Sequence, residues 1–182
     1  MKMKKLYFFF CLLCVLTNGS AQNQLSPVDA GSKVHFVIKN LGIKTGGDFT
    51  GLQGMIKFDP NNPTTAAFDV SIDASTIDTD NRTRDRHLKK SEYFDVTGYP
   101  RIRMTSTRVQ ATTKAGRYQF TGNLTIKAVT KPVSFQFTYT ATKGGALFVS
   151  DVISLNRRTY GVGISSVTLS DDLKLSLSIL AK

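Results

Sequence analysis

The chain contains no tryptophan and only two cysteines, Cys11 and Cys14, both close to the N-terminus. Residues 1–21 read as a secretory leader, so the exported product is expected to have neither a disulfide nor a thiol nucleophile. There are only two histidines, His35 and His87, far apart in sequence. That makes a poor metal site, which needs several ligands converging on one ion; no metal and no cofactor is expected. No Gly-x-Ser-x-Gly nucleophile turn occurs. Acidic residues are scarce, 13 against 24 basic ones, for a formal charge of +11. A chain this basic could be drawn to anionic head groups or to an anionic membrane surface. It could equally be a solvated surface kept soluble by its charge, and the scatter of the basic residues favours that reading. No basic-aromatic cluster suits nucleic acid.

The leader has three parts. Lys2, Lys4 and Lys5 form a basic start, and Leu6–Leu16 is an apolar run too short to span a bilayer. Gly19, Ser20 and Ala21 supply small residues for a cut before Gln22, with a periplasmic or secreted destination. A lipoprotein cut would need a small residue before the cysteine, but Leu13 and Phe10 stand there. The remaining 161 residues carry a formal +8 and amount to one domain, 22–182. No later run is long and apolar enough to cross a membrane.

What the chain does have is alternation. Val34, Phe36 and Ile38 share one parity; so do Phe68, Val70 and Ile72, and likewise Tyr118, Phe120, Leu124 and Ile126. Val133, Phe135 and Phe137 follow the same rule, as do Leu173, Leu175, Leu177 and Ile179. Period-two alternation marks half-buried strands. Roughly eight such strands at short spacing imply an all-β chain, either a closed antiparallel barrel or a sandwich. An eight-stranded barrel is just wide enough for packed side chains or for one small ligand.

One segment, Ile72–Pro100, breaks the period. Asp78 and Asp80 can cap a short helix over about 81–93, with Lys89 and Lys90 at its C-terminal end. Asp85 and Lys89 are spaced to pair on one face. Arg84, His87, Leu88 and Ser91 share another. A polar helix with so narrow an apolar face suits the mouth of a structure better than its core. His87 could act as a general base only with an orienting carboxylate and a nucleophile nearby, and Asp85 lies on a different face. His35, alternating with Phe36, is expected to point outward into solvent. Arg157 and Arg158 could hold an anionic head group, or be two solvated strand-end arginines.

Several pieces, in this order and spacing, resemble a known family. They include Ser32–Asn40 (SKVHFVIKN), Gly54–Pro60 (GMIKFDP), Ser75–Thr79 (STIDT) and Arg84–Leu88 (RDRHL). Tyr93–Val96, Tyr99-Pro100, Gly122–Ile126, Val129–Val133 and Asn156–Gly161 continue the series. The chain resembles the YceI-like family over about Leu25–Lys182. Three departures stand out: Ala128 before the Val-Thr-Lys-Pro-Val element, Gly31-Ser32 in the first strand, and Arg158 after Asn156-Arg157. The resemblance implies a closed, lipocalin-like antiparallel barrel of about eight strands. It implies an exported, non-enzymatic protein that binds a polyisoprenoid or similar prenyl or acyl chain. The lining expected from parity is Phe36, Ile38, Phe68, Val70, Ile72, Phe120, Leu124, Val133, Phe135, Phe137, Leu175 and Leu177, with Leu88 fastening the helix. Arg84, His87, Arg157 and Arg158 are the rim candidates. An exported enzyme centred on His87, and a packed barrel acting through its surface, are the other readings of the residues.

Overall fold

The computed structural model describes residues 24–182; the leader lies outside them. The chain begins with β1 (Gln24–Leu25) and β2 (Pro27–Asn40), separated by Ser26 alone. β1 pairs with β4 (Gln53–Lys57), whereas β2 pairs with β3 (Ile43–Phe49) on one edge and with β11 (Leu169–Ala181) on the other. From β4 the sheet runs antiparallel through β5 (Ala67–Asp73), β6 (Arg101–Ala111), β7 (Arg117–Ile126), β8 (Val129–Thr142) and β9 (Gly145–Ser150) to β11. β10 (Ile153–Asn156) pairs with β11 beyond the end of β9.

The expected closed barrel of about eight strands needs correction. The described residues form eleven strand segments in one antiparallel sheet, and its ladder ends at β1 and β3 without closing. The reason is local. The first strand gives only two residues to β4 before it crosses, at Ser26, to β11. The free edge of β3 meets the connection after β5, where Asp48 and Asp78 exchange backbone hydrogen bonds of 2.8 and 3.0 Å. Alternation fixes which face of a strand is apolar; it carries no information about which edges meet.

Parity does describe the interior. Along β7, Tyr118, Phe120, Gly122 and Leu124 are buried while the alternate residues are half-buried. A register shift between Ser106 and Arg108 in β6 interrupts the parity of Ile102 and Met104, and beyond it Val109 is wholly buried. Bulges of this kind re-aim the side chains that follow.

The sheet has two distinct ends. At one lie the β6–β7 and β8–β9 turns and the connection after β4. Phe58 sits there against Tyr118, Phe148, Tyr139, Phe137 and Phe68, with ring centroids 4.9–6.1 Å apart. At the other lie the β2–β3 and β7–β8 hairpins, the connection from β5 to β6, and residues 157–168.

The β5–β6 connection carries helix α1 (Arg82–Leu88), shorter than the expected span of 81–93. Asn81, not Asp78 or Asp80, is its cap: the amide oxygen accepts from Thr83 and Arg84 N–H at 3.1 and 3.0 Å. Asp80 is held at φ 58°, in the turn that leads into the cap. Asp85 turns back to Thr79 rather than pairing with Lys89, accepting from its N–H and its hydroxyl at 3.0 and 2.5 Å. After the helix, Phe94 packs edge-on against Phe49 at 5.5 Å, and Phe49 against Phe36 at 5.8 Å. This aromatic series fastens the connection to the sheet.

Candidate functional site

The inward faces enclose a cavity of about 440 Å³ that opens toward the α1 end. Its size lies in the usual range for ligand pockets, about 300–1,000 Å³. From β2 the wall takes Phe36 and Ile38; from β5, Phe68, Val70 and Ile72. β7 and β8 add Phe120, Leu124, Phe135 and Phe137, and β11 adds Leu175 and Leu177. Phe120 and Phe135 stack at 4.7 Å, forming a flat panel. Leu88 reaches the cavity from α1. Val133 does not line it; it is buried at 8% exposure within the core cluster.

Ile56, which alternates with Met55 and Lys57 on β4, also lines the cavity. Tyr93, Phe94 and Tyr160 were not evident from alternation, because they come from non-strand segments with no period to read. Burial pushes the Tyr160 hydroxyl above its ordinary pKa, so it stays protonated at neutral pH.

The mouth is polar and asymmetric. Arg84 donates from Nε to the Thr79 hydroxyl at 2.7 Å and from Nη2 to the Thr79 carbonyl at 2.5 Å. Among the described residues, no carboxylate forms an ion pair with it. Arg84 is therefore a positioned charge on the cavity it lines, with the Asp85 carboxylate one hydroxyl away through Thr79. His87 also lines the mouth, with its ring edge-on to Tyr93 at 4.9 Å.

Of the two neighbouring arginines, expected either to hold a head group at the rim or to be solvated, Arg158 is solvated and Arg157 is not. Arg157 is 4% exposed. It donates to the carbonyls of Ser170, Val162 and Leu169 at 3.0, 2.9 and 3.4 Å, and to the Asp171 carboxylate at 2.7 Å. It borders the cavity, but most of its hydrogen-bonding capacity goes to holding the 162–171 segment in place. Arg158 is exposed, lies outside the cavity wall, and donates to the Gly163 carbonyl at 2.8 Å. His35 is not free in solvent: its Nδ1 lies 2.8 Å from Asp48 Oδ1. It borders a second, polar recess of about 320 Å³ with Lys44, Asp48, Asp78, Asp80 and Arg84.

Comparison with known proteins agrees with this architecture. A UPF0312 protein of Pectobacterium carotovorum is 40% identical over 102 residues, covering 55% of this chain and 52% of that protein. Protein YceI of Salmonella arizonae is 34% identical over 139 residues, 74% of this chain and 72% of the relative. A solved structure described as a polyisoprenoid binding domain from Saccharophagus degradans, implicated in plant cell wall breakdown, superimposes with a TM-score of 0.67. The match covers 87% of this chain and 97% of that one, at 12% identity, and so speaks to the fold. The YceI-like domain matches residues 25–181, nearly the whole described sheet, and the chain belongs to that family.

Proposed function

We propose that the protein is an exported, non-enzymatic carrier of a long-chain amphiphile: a polyisoprenoid, an isoprenoid quinone or a similar lipid. The observation that carries this reading is the cavity itself, apolar along its walls, with the Arg84 guanidinium held on Thr79 at one end. Burying a chain there is worth about 0.8 kcal/mol per CH₂, so few polar contacts are needed. Arg84 and His87 would face the polar end. The Saccharophagus domain, described as polyisoprenoid binding, supports the class of ligand. Export to the periplasm or beyond rests on the order of basic, apolar and small residues in 1–21.

The surroundings of His87 speak against an enzyme. Its ring packs on Tyr93, and the nearby Glu92 carboxylate acts on it through space without a hydrogen bond, whereas a general base needs a hydrogen-bonded group to orient it. The test is organic extraction of natively purified protein followed by mass spectrometry. A stoichiometric prenyl or acyl lipid is expected. Phe135→Asp, which places an unpaired charge in the apolar wall, should abolish occupancy. Full occupancy in that variant, together with a turnover reaction lost on His87→Ala, would replace the carrier reading with the enzyme reading.

A further inference from the structure

Four strongly exposed apolar side chains share one rim. Leu41 and Ile43 are 72% and 69% exposed at the tip of the β2–β3 hairpin; Ile164 and Val167 are 72% and 105% exposed in the loop before β11. The two tips are neighbours, since the Leu41 N–H donates to the Thr168 carbonyl at 2.8 Å and Asn40 pairs with Leu169. Leu41 also has φ 51°, with Gly42 at φ 79° after it. Such tight hairpin turns favour Asn or Gly at the first position, because a side chain like Leu is strained there. Leucine at this site helps neither the turn nor the core.

The same rim borders the cavity. Asn40 and Thr45 on the hairpin, Ser166 and Thr168 on the facing loop, and Leu169 at the start of β11 are cavity-lining residues interspersed with the exposed apolar ones. Basic groups flank it. Lys39 and Lys44 are directly paired across the hairpin, and Arg158 is fixed on the Gly163 carbonyl, next to Ile164. Of the nearby acids, Asp171 is paired with Arg157, Asp48 with His35, and Asp172 accepts from the Asn156 amide; Asp78 and Asp80 lie on the polar recess that Lys44 also borders, and Glu92 adjoins Gly163 through its backbone.

We infer that this rim docks on an anionic phospholipid bilayer and that the cavity exchanges its lipid there. The inference rests on the carrier reading of the cavity. Apolar tips that enter the acyl boundary and cations that meet anionic head groups are the two components of interfacial binding. A second copy of the chain is a poorer occupant, because a two-fold contact would gather Lys39, Lys44 and Arg158 of both copies around one apolar patch.

The test is co-sedimentation with vesicles, using protein recovered from expression of the whole chain. Vesicles of phosphatidylethanolamine and phosphatidylglycerol should carry the protein down, and phosphatidylcholine vesicles should do so weakly. Ile43→Asp with Val167→Asp should lower the partition coefficient about tenfold or more. Lys39→Gln and Lys44→Gln should each lower it about fivefold. Val152→Asp, at a site 61% exposed on the sheet wall, is the control and should change nothing. Docking is overturned if wild type ignores anionic vesicles, if the Ile43/Val167 variant binds like wild type, or if Val152→Asp weakens binding equally. It is also overturned if the double variant instead abolishes a concentration-dependent self-association. Mass spectrometry of the same samples separates the two readings. Bound lipid without vesicle binding removes docking and leaves the carrier; vesicle binding by protein free of lipid does the reverse.

Discussion

The two ends of the sheet are built from different chemistry. At one end Phe58 touches rings on several strands, edge-on to Tyr118 at 4.9 Å and to Phe148 at 5.6 Å, and is 6% exposed. At the other the chain places a polar helix, an arginine held on Thr79 and four exposed aliphatic tips. The first end is closely packed with aromatic rings. The second spends backbone length on connections and leaves apolar surface in water. Packing energy thus concentrates at the end away from the mouth, which leaves the mouth free to vary without unfolding the sheet.

The sharpest test of that division is Phe58→Ala. Truncating a buried phenylalanine typically costs about 3–5 kcal/mol, and here the ring is shared by β5, β7, β8 and β9 neighbours. Chemical denaturation should show the full loss. A cost below about 1 kcal/mol, typical of exposed sites, would mean that the aromatic end does not anchor the fold.

Much of this contrast was written in the sequence, but not all. The parity of Phe36 and Ile38, or of Phe120 and Leu124, was readable because each strand buries one face. Val133 shares parity with Phe135 and yet packs in the core beside the cavity, since parity reports the face and not the height along the strand. Closure was unreadable, because it turns on one residue, Ser26, at which the strand changes partner. Arg157 and Arg158 look alike in sequence. Which one is buried depends on Asp171 and on carbonyls reached through the fold. Phe58, standing before an Asp-Pro turn, looked like any strand-end apolar residue. Its role arises from rings contributed by distant strands.

A second, smaller effect separates the ends by pH. The Asp73 carboxyl, at the start of the connection carrying α1, is held below its ordinary value by hydrogen bonds from Ser75, helped by Arg101 and Lys89. Asp69, beside Phe68 on the aromatic half of β5, is also held low by its hydrogen bond and ion pair with Arg103 and does not distinguish the ends. A folded value below the unfolded one, 3.8 for both, gives stability that is present above that value. It is lost as pH falls through the folded value. Both side chains are largely in water, so each should contribute less than about 1 kcal/mol. At the aromatic end the perturbed group is Tyr118, pushed up chiefly by burial and therefore neutral throughout the acid range. Hydrogen exchange followed from neutral pH down through about 4 should loosen residues 73–90 before residues 118–137. The opposite order would break the comparison.

The smallest expected effect is that of His87→Ala, and it is informative because it is small. His87 is exposed on α1, and its ring contact is with Tyr93 alone. An aromatic pair of this kind is worth about 0.5–1.5 kcal/mol when buried, and less at an exposed site. The helix keeps its Asn81 cap, its Asp85–Thr79 tie and the Phe94–Phe49 contact. Global stability should therefore fall by under about 1 kcal/mol. If the carrier reading holds, the change appears instead in exchange: a fluorescent long-chain amphiphile should leave the variant a few-fold faster, with its final occupancy little altered. The polar end of the ligand would lose one neighbour while Arg84 and the apolar wall stay in place. A variant that unfolds readily would make the α1 end part of the anchoring core and erase the distinction between the two ends. A variant with unchanged exchange would move the gate away from α1, leaving the hairpin rim as the remaining route to the cavity.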